Sequence, residues 1–128
     1  MDKKLRILIV DDFATMRKVI RNLLKQVGYD NIIEAENGEA ALTVLKSQKI
    51  DFVISDWNMP NMTGLELLKA VRADGELCKM PFLMVTAEAL KDNVVEAVKA
   101  GVNNYIVKPF TAEVLNEKME KILDKIAA

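Results

Sequence analysis

Histidine is absent from this 128-residue chain. That omission removes imidazole nucleophiles, imidazole general bases and imidazole metal ligands together. Cysteine occurs once, at Cys78, so no internal disulfide is possible and the residue reads as a bystander thiol in a reducing compartment. No apolar run approaches the roughly 20 residues needed to span a bilayer. Met1-Asp2-Lys3-Lys4 leads directly into the first predicted strand and leaves no room for a signal peptide, so the expected location is the cytoplasm. Neither sign of charge prevails. With 18 basic and 19 acidic side chains the formal net charge is −1, and neither nucleic acid nor an anionic membrane is an expected partner. Linkers, low-complexity tracts and internal repeats are missing as well, which predicts one domain over residues 1–128. What the chain does have is apolar mass: 51% hydrophobic against 29% charged residues, enough for a folded core. A chain of this length buries roughly 70% of the surface it exposes when unfolded.

The apolar residues alternate between two periodicities. Short runs rich in Ile and Val predict strands at about 5–10, 32–36, 52–56, 82–86 and 104–108. Between the first two, Met16, Val19, Ile20, Leu23, Leu24 and Val27 recur at helical spacing. Gly28 stands where a left-handed cap would stop that helix. A second helix follows Gly38 through Leu42 and Leu45; a third carries Leu65, Leu68 and Val71, with Thr63 placed to cap it. Val94, Val95 and Val98 mark a fourth, stopped by Gly101. The last begins after Thr111 and presents Leu115, Met119, Ile122, Leu123 and Ile126 on one face. Strand and helix alternating five times mean a parallel sheet covered on both faces, because crossovers are right-handed. Five units are too few for a closed eight-stranded barrel. The expected fold is a flavodoxin-like, doubly wound α/β sheet with strand order 2-1-3-4-5.

In such a sheet, working residues gather beyond the carboxyl ends of the strands, at the switch point between strands 1 and 3. Asp11 and Asp12 end the first strand there, and Asp56 ends the third. Thr86 and Lys108 end the fourth and fifth. By themselves Asp11 and Asp12 suit capping of the next helix as well as they suit a metal. A third Asp on the neighbouring strand tips the balance towards a cation, because clustered carboxylates repel unless a positive charge compensates. All-oxygen ligation suits a hard ion such as Mg2+, which uses one or two carboxylates, waters and a phosphate. Asp56 is then a candidate nucleophile able to form an acyl phosphate. Lys108 would balance the phosphoryl charge. Pro109 directly after it fixes where that side chain points, through an X-Pro bond that can be cis. Thr86 could donate to a phosphate oxygen or bond locally, and Tyr105 on the edge strand is expected to be half-buried.

Asp11-Asp12, Asp56, Thr86 and Lys108-Pro109 resemble the receiver domain of two-component response regulators over essentially the whole chain. The strings Asp56-Trp57-Asn58-Met59-Pro60-Asn61-Met62, Met84-Val85-Thr86-Ala87-Glu88 and Val107-Lys108-Pro109-Phe110 are most similar to its single-domain chemotaxis members. The resemblance implies that Asp56 accepts a phosphoryl group from a histidine kinase or a small acyl phosphate. It implies Mg2+ held by Asp12, Asp56 and the backbone carbonyl of Asn58, with Asp11 reaching it through water. Lys108 would contact the phosphoryl group, Thr86 would move towards it, and Tyr105 would turn into the vacated space. Asn58 and Glu88 would tune the spontaneous loss of phosphate. A face comprising Lys91, Val94, Val98, Tyr105, Val107 and Lys118 would meet the flagellar motor switch. The implied protein is a monomeric signalling switch rather than an enzyme, with a dedicated phosphatase as a further partner. Two departures stand out: Thr63 replaces an Asp common in the family, and Leu90 and Val98 add apolar bulk near helix 4.

Other functions fit less well. A phosphorelay shuttle or phosphate sink would share the receiver chemistry, but the motor-type strings favour the switch, and no output domain is expected after Ala128. A Mg2+-dependent phosphatase for small molecules would need an insertion to cap its pocket, and the chain has none. A nucleotide or flavin module is excluded because Asp11-Asp12-Phe13-Ala14 offers negative charge and no glycine where phosphate binders offer backbone amides.

Overall fold

A computed structural model describes residues 4–87 and 91–127, with all side chains in those spans except Lys91, Asp92 and Ala127. Strands β1 (Ile7–Val10), β2 (Ile32–Ala35), β3 (Phe52–Asp56), β4 (Phe82–Thr86) and β5 (Asn104–Val107) alternate with five helices. The helices are α1 (Ala14–Gln26), α2 (Gly38–Ser47), α3 (Gly64–Ala73), α4 (Lys91–Lys99) and α5 (Ala112–Ala127). The strands form one parallel sheet in the order β2-β1-β3-β4-β5, as the alternation implied. Every residue of β1, β3 and β4 is buried, which is why their sequences read as continuous apolar runs rather than alternating ones.

Alternate residues of each strand feed two separate cores. On one face Ile7, Ile9, Ile54, Leu83, Val85 and Ile106 meet Ile20 and Leu24 of α1 and Leu115, Met119 and Ile122 of α5. On the other, Leu8, Val10, Val53 and Met84 meet Ala41 and Leu45 of α2 and Leu67, Leu68 and Val71 of α3. Burying each Leu, Ile or Val side chain contributes about 1.5–3 kcal/mol, so the sheet is held from both sides.

The helix stops work as expected. Gly28 (φ 99°) and Gly101 (φ 94°) take left-handed backbone. After α1, the Gly28 N–H bonds to the Lys25 carbonyl and the Tyr29 N–H to the Leu24 carbonyl; after α4, Gly101 and Val102 do the same with Val98 and Ala97. Both are Schellman closures, which glycine alone adopts without steric cost. Thr63 caps α3 through a reciprocal box with Glu66, so Thr in place of Asp leaves the helix start intact.

Three strand ends are shorter than the apolar runs. β1 starts at Ile7, not residue 5, because the Asp51 side chain takes the Arg6 N–H at 2.9 Å, a donor that further pairing would need. β2 stops at Ala35. β5 stops at Val107: the Lys108 N–H still reaches the Thr86 carbonyl at 2.8 Å, but Pro109 offers no donor to continue. The Lys108–Pro109 bond is cis.

Candidate functional site

The register brings the ends of β1, β3, β4 and β5 to one edge. Val10 pairs with Ser55, Asp56 with Val85, and Thr86 with Val107, so Asp11, Asp56, Thr86 and Lys108 emerge as neighbours. One carboxylate oxygen from each of Asp11, Asp12 and Asp56 lies within 4.8 Å of the others. The Lys108 ammonium stands 3.0 Å from Asp56 Oδ1 and 3.9 Å from Asp11 Oδ2. Asp11 and Asp56 are buried and Asp12 is half-buried.

The capping alternative for the acidic pair fails. Phe13, not an Asp, is the N-cap of α1, and it makes no side-chain cap bond. Asp11 Oδ1 instead accepts the Phe13 N–H at 2.9 Å and turns the chain locally. Asp11 Oδ2 and Asp12 Oδ1 are buried and accept no hydrogen bond among the described residues. Buried carboxylate oxygens without donors are costly. On residues whose carboxylates also cluster with Asp56, they fit a hard divalent cation.

The β3–α3 loop is held close to this cluster. The Trp57 N–H bonds to the Val85 carbonyl at 2.9 Å, and the Gly64 N–H to the Trp57 carbonyl at 2.8 Å. A Cβ at Gly64 would overlap the Asp56 carbonyl oxygen, so the start of α3 lies directly against the backbone of the strand end. Met59 is buried, Asn58 is exposed in the loop, and Asn61 adopts a left-handed φ of 70°.

Thr86 is buried at the tip of β4. Met84 pairs with Tyr105 and Thr86 with Val107, so Thr86 and Tyr105 share a face of the sheet. Tyr105 is half-buried as expected, with the Lys118 ammonium 5.5 Å from its ring centre. Val98 and Val107 are exposed and Val94 is half-buried, in keeping with an open α4–β5–α5 face. Glu88 and Leu90 lie outside the described residues, as does the side chain of Lys91.

The sequence pattern singled out neither Gly64 nor Arg17, whose guanidinium reaches back from α1 to the Asp11 carbonyl at 2.7 Å. An arginine five residues beyond an acidic pair carries no pattern that singles it out.

Burial is the main reason that the Asp11 carboxyl is pushed above its ordinary value of 3.8. The Phe13 amide opposes this, Asp56 adds to it, Lys108 opposes, and Asp12 adds. The folded chain therefore keeps this proton to higher pH than the unfolded chain does. Stability falls as pH rises from about 4 through the raised value, and above it ionised Asp11 is a standing cost. Asp11→Asn retains the acceptor for Phe13 but cannot ionise. It is expected to melt roughly 3–5 °C above the parent at pH 7 in chelator, about 1 kcal/mol for a chain of this size. The gain should shrink below pH 4. Equal melting curves at pH 7 would mean that the buried Asp11 carboxylate carries no net cost.

A sheet of this order with an acidic triad and a lysine at its carboxyl edge has the arrangement expected of a receiver domain, and comparison with known proteins shows that family. Residues 7–120 match the family described as response regulator receiver domain. The chain belongs to the response regulator receiver family. It is 57% identical over 122 residues to "Chemotaxis protein CheY" of Pseudomonas aeruginosa, covering 95% of this chain and 98% of that one. It is 53% identical over 126 residues to "Chemotaxis protein CheY-3" of Vibrio cholerae, covering 98% and 97%. Among solved structures, Vibrio cholerae CheY4 superposes with a TM-score of 0.86 at 34% identity, over 93% of this chain and 98% of that one. A response regulator receiver domain from Clostridium thermocellum gives 0.85 at 26% identity, over 96% and 97%. None of the described helices is long and apolar enough to cross a membrane.

Proposed function

We propose that this chain is a cytoplasmic, monomeric chemotaxis response regulator that takes a phosphoryl group on Asp56 from a histidine kinase and, so modified, binds the flagellar motor switch. The observation that carries the proposal is the Asp56 carboxylate, set 3.0 Å from Lys108 and clustered with Asp11 and Asp12 at the switch point of the sheet. Identity of 57% to a protein named for chemotaxis supports the biological role.

In the reaction an Asp56 oxygen attacks phosphorus as the bond to the donor nitrogen, or to the leaving carboxylate of a small acyl phosphate, breaks. The product is an acyl phosphate, and the electron pair leaves with the donor. Asp11, Asp12, Asp56 and the Asn58 carbonyl would hold Mg2+, which when bound would supply positive charge for the phosphoryl oxygens. Lys108 supplies a fixed cation, already in contact with Asp56. Thr86 then moves to donate to the phosphoryl group, and Tyr105, on the same face, follows inward. The population shifts between two surfaces of one fold. The altered face is that of Lys91, Val94, Val98, Tyr105, Val107 and Lys118. Asn58 and Glu88 set the approach of the hydrolytic water, which a dedicated phosphatase would assist. The chain modifies only itself, so it is a switch rather than an enzyme acting on a substrate.

Intact-mass spectrometry after brief incubation with acetyl phosphate tests this directly. A single phosphoryl adduct that requires Mg2+ and is lost to hydroxylamine is the expected result. Turnover of acetyl phosphate with no adduct, and no binding of beryllofluoride, would overturn it in favour of a phosphatase. Binding to an isolated motor-switch component should strengthen on phosphorylation, and equal binding of both forms would reject the motor role.

A further inference from the structure

Arg17, in the first turn of α1, spans two groups that lie on different strands. Its Nη1 donates to the Asp11 backbone carbonyl at 2.7 Å, and its Nε donates to Glu34 Oε1 at 3.0 Å. Glu34 is on the edge strand β2, and its other oxygen is held by Arg21, through Nε at 2.9 Å and Nη2 at 2.7 Å. Desolvation works against the Glu34 carboxylate, yet hydrogen bonds from Arg21 and Arg17 and their charges hold its carboxyl below the ordinary value. The anion therefore stays in place to anchor the Arg17 fork.

We infer that Arg17 is a positioning residue for the acidic loop, fixing the Asp11–Asp12 peptide plane, with Glu34 and Arg21 bracing it from β2. The rest of Asp11 is already tied down: its N–H bonds to the Ala35 carbonyl at 3.2 Å and its Oδ1 accepts from Phe13. Its carbonyl is the backbone group that remains. Because the peptide unit is planar, orienting that carbonyl also orients the Asp12 nitrogen and hence the departure of the Asp12 side chain. The N-cap of α1 makes no side-chain bond that could do this instead. A charge-assisted donor on a backbone oxygen is among the stronger ways to hold a loop. The inference rests on the reading of the triad as a Mg2+ site.

Field and position predict opposite signs. Arg17, Arg21 and Glu34 sum to one positive charge, so by charge alone removing Arg17 would tighten binding of a divalent cation. By position, removing it loosens binding. Trp57 fluorescence during Mg2+ titration, with melting temperature recorded alongside, separates the two. Arg17→Met, which keeps the apolar stem, is expected to raise the Mg2+ Kd about fivefold to tenfold, at the lower end of effects seen for groups that orient metal ligands. Glu34→Ala should raise it about twofold to threefold, and the double variant should be no worse than Arg17→Met, since both act through one contact. Arg17→Lys should recover only part, because an ammonium cannot fork between two acceptors. An Arg17→Met Kd within twofold of the parent would overturn the inference, whatever the melting temperature. A tighter Kd would overturn it in favour of a remote charge. If the parent itself shows no Mg2+ response at Trp57, the metal reading fails first and separately. Should Arg17→Met not fold, Glu34→Ala decides: an unchanged Kd there overturns the inference.

Discussion

Asp56→Asn is expected to give no phosphoryl adduct with acetyl phosphate at any Mg2+ concentration while retaining the fold. The loss is expected to be complete because an amide oxygen is a poor nucleophile and neither neighbouring carboxylate is placed as Asp56 is. Asp11 is fully buried, and one of its oxygens is committed to the Phe13 amide. Asp12 makes no ion pair with Lys108 among the described residues, whereas Asp56 does at 3.0 Å. The same variant should bind Mg2+ at least tenfold more weakly, since a charged ligand has become neutral. Its fold should survive: the residue ends a strand whose other members, Phe52, Val53, Ile54 and Ser55, are all buried. Mass spectrometry with peptide mapping checks the first expectation, and Trp57 titration the second. An adduct of undiminished yield on another residue would move the phosphoacceptor elsewhere.

Gly64→Ala is expected to be the most destabilising small change near the site. An added Cβ would overlap the Asp56 carbonyl oxygen, sit 2.8 Å from Met84 Sδ and 3.0 Å from Trp57 Cα. Two of these three atoms are backbone, so relief needs α3 to move away from β3 rather than a rotamer change. Overpacking of this kind costs about 2–3 kcal/mol, or roughly 10 °C in Tm. The displaced loop carries Trp57 and Asn58, so Mg2+ affinity should fall with stability. Gly38→Ala presses only on the Met62 side chain and should cost less. Gly75→Ala meets nothing within 4 Å and serves as the control. If Gly64→Ala and Gly75→Ala melt together, the close approach is not a constraint.

Much of this was legible in the residues alone. Strand order followed from alternation, and the grouping of Asp11, Asp12 and Asp56 from the rule that crossovers leave a crevice at the switch point. β3 and β4 were found to the residue, because their buried runs begin after Asp51 and Pro81 and end at polar side chains. The start of β1 was not, since Leu5 continues the apolar run. What halts pairing is a side chain 45 positions away, Asp51 on the Arg6 amide. Contacts of that range leave no local signal. The same holds for Arg17 and Glu34, whose types suit any solvated face, and for Gly64, whose need for smallness comes from the approach of Asp56. The choice between capping and metal for the acidic pair also needed geometry, because it turned on which residue occupies the N-cap of α1.

The cluster at the sheet edge is assembled from widely spaced parts of the chain, and their order matters during synthesis. All three carboxylates belong to the first 56 residues, whereas the ammonium that contacts two of them is residue 108. The acids are therefore synthesised about fifty residues before the lysine that contacts two of them in the folded chain. β5 is the edge strand that delivers this counter-charge, and it docks on β4 alone. The last strand to be made is the one that leads to the lysine in contact with the site's acids.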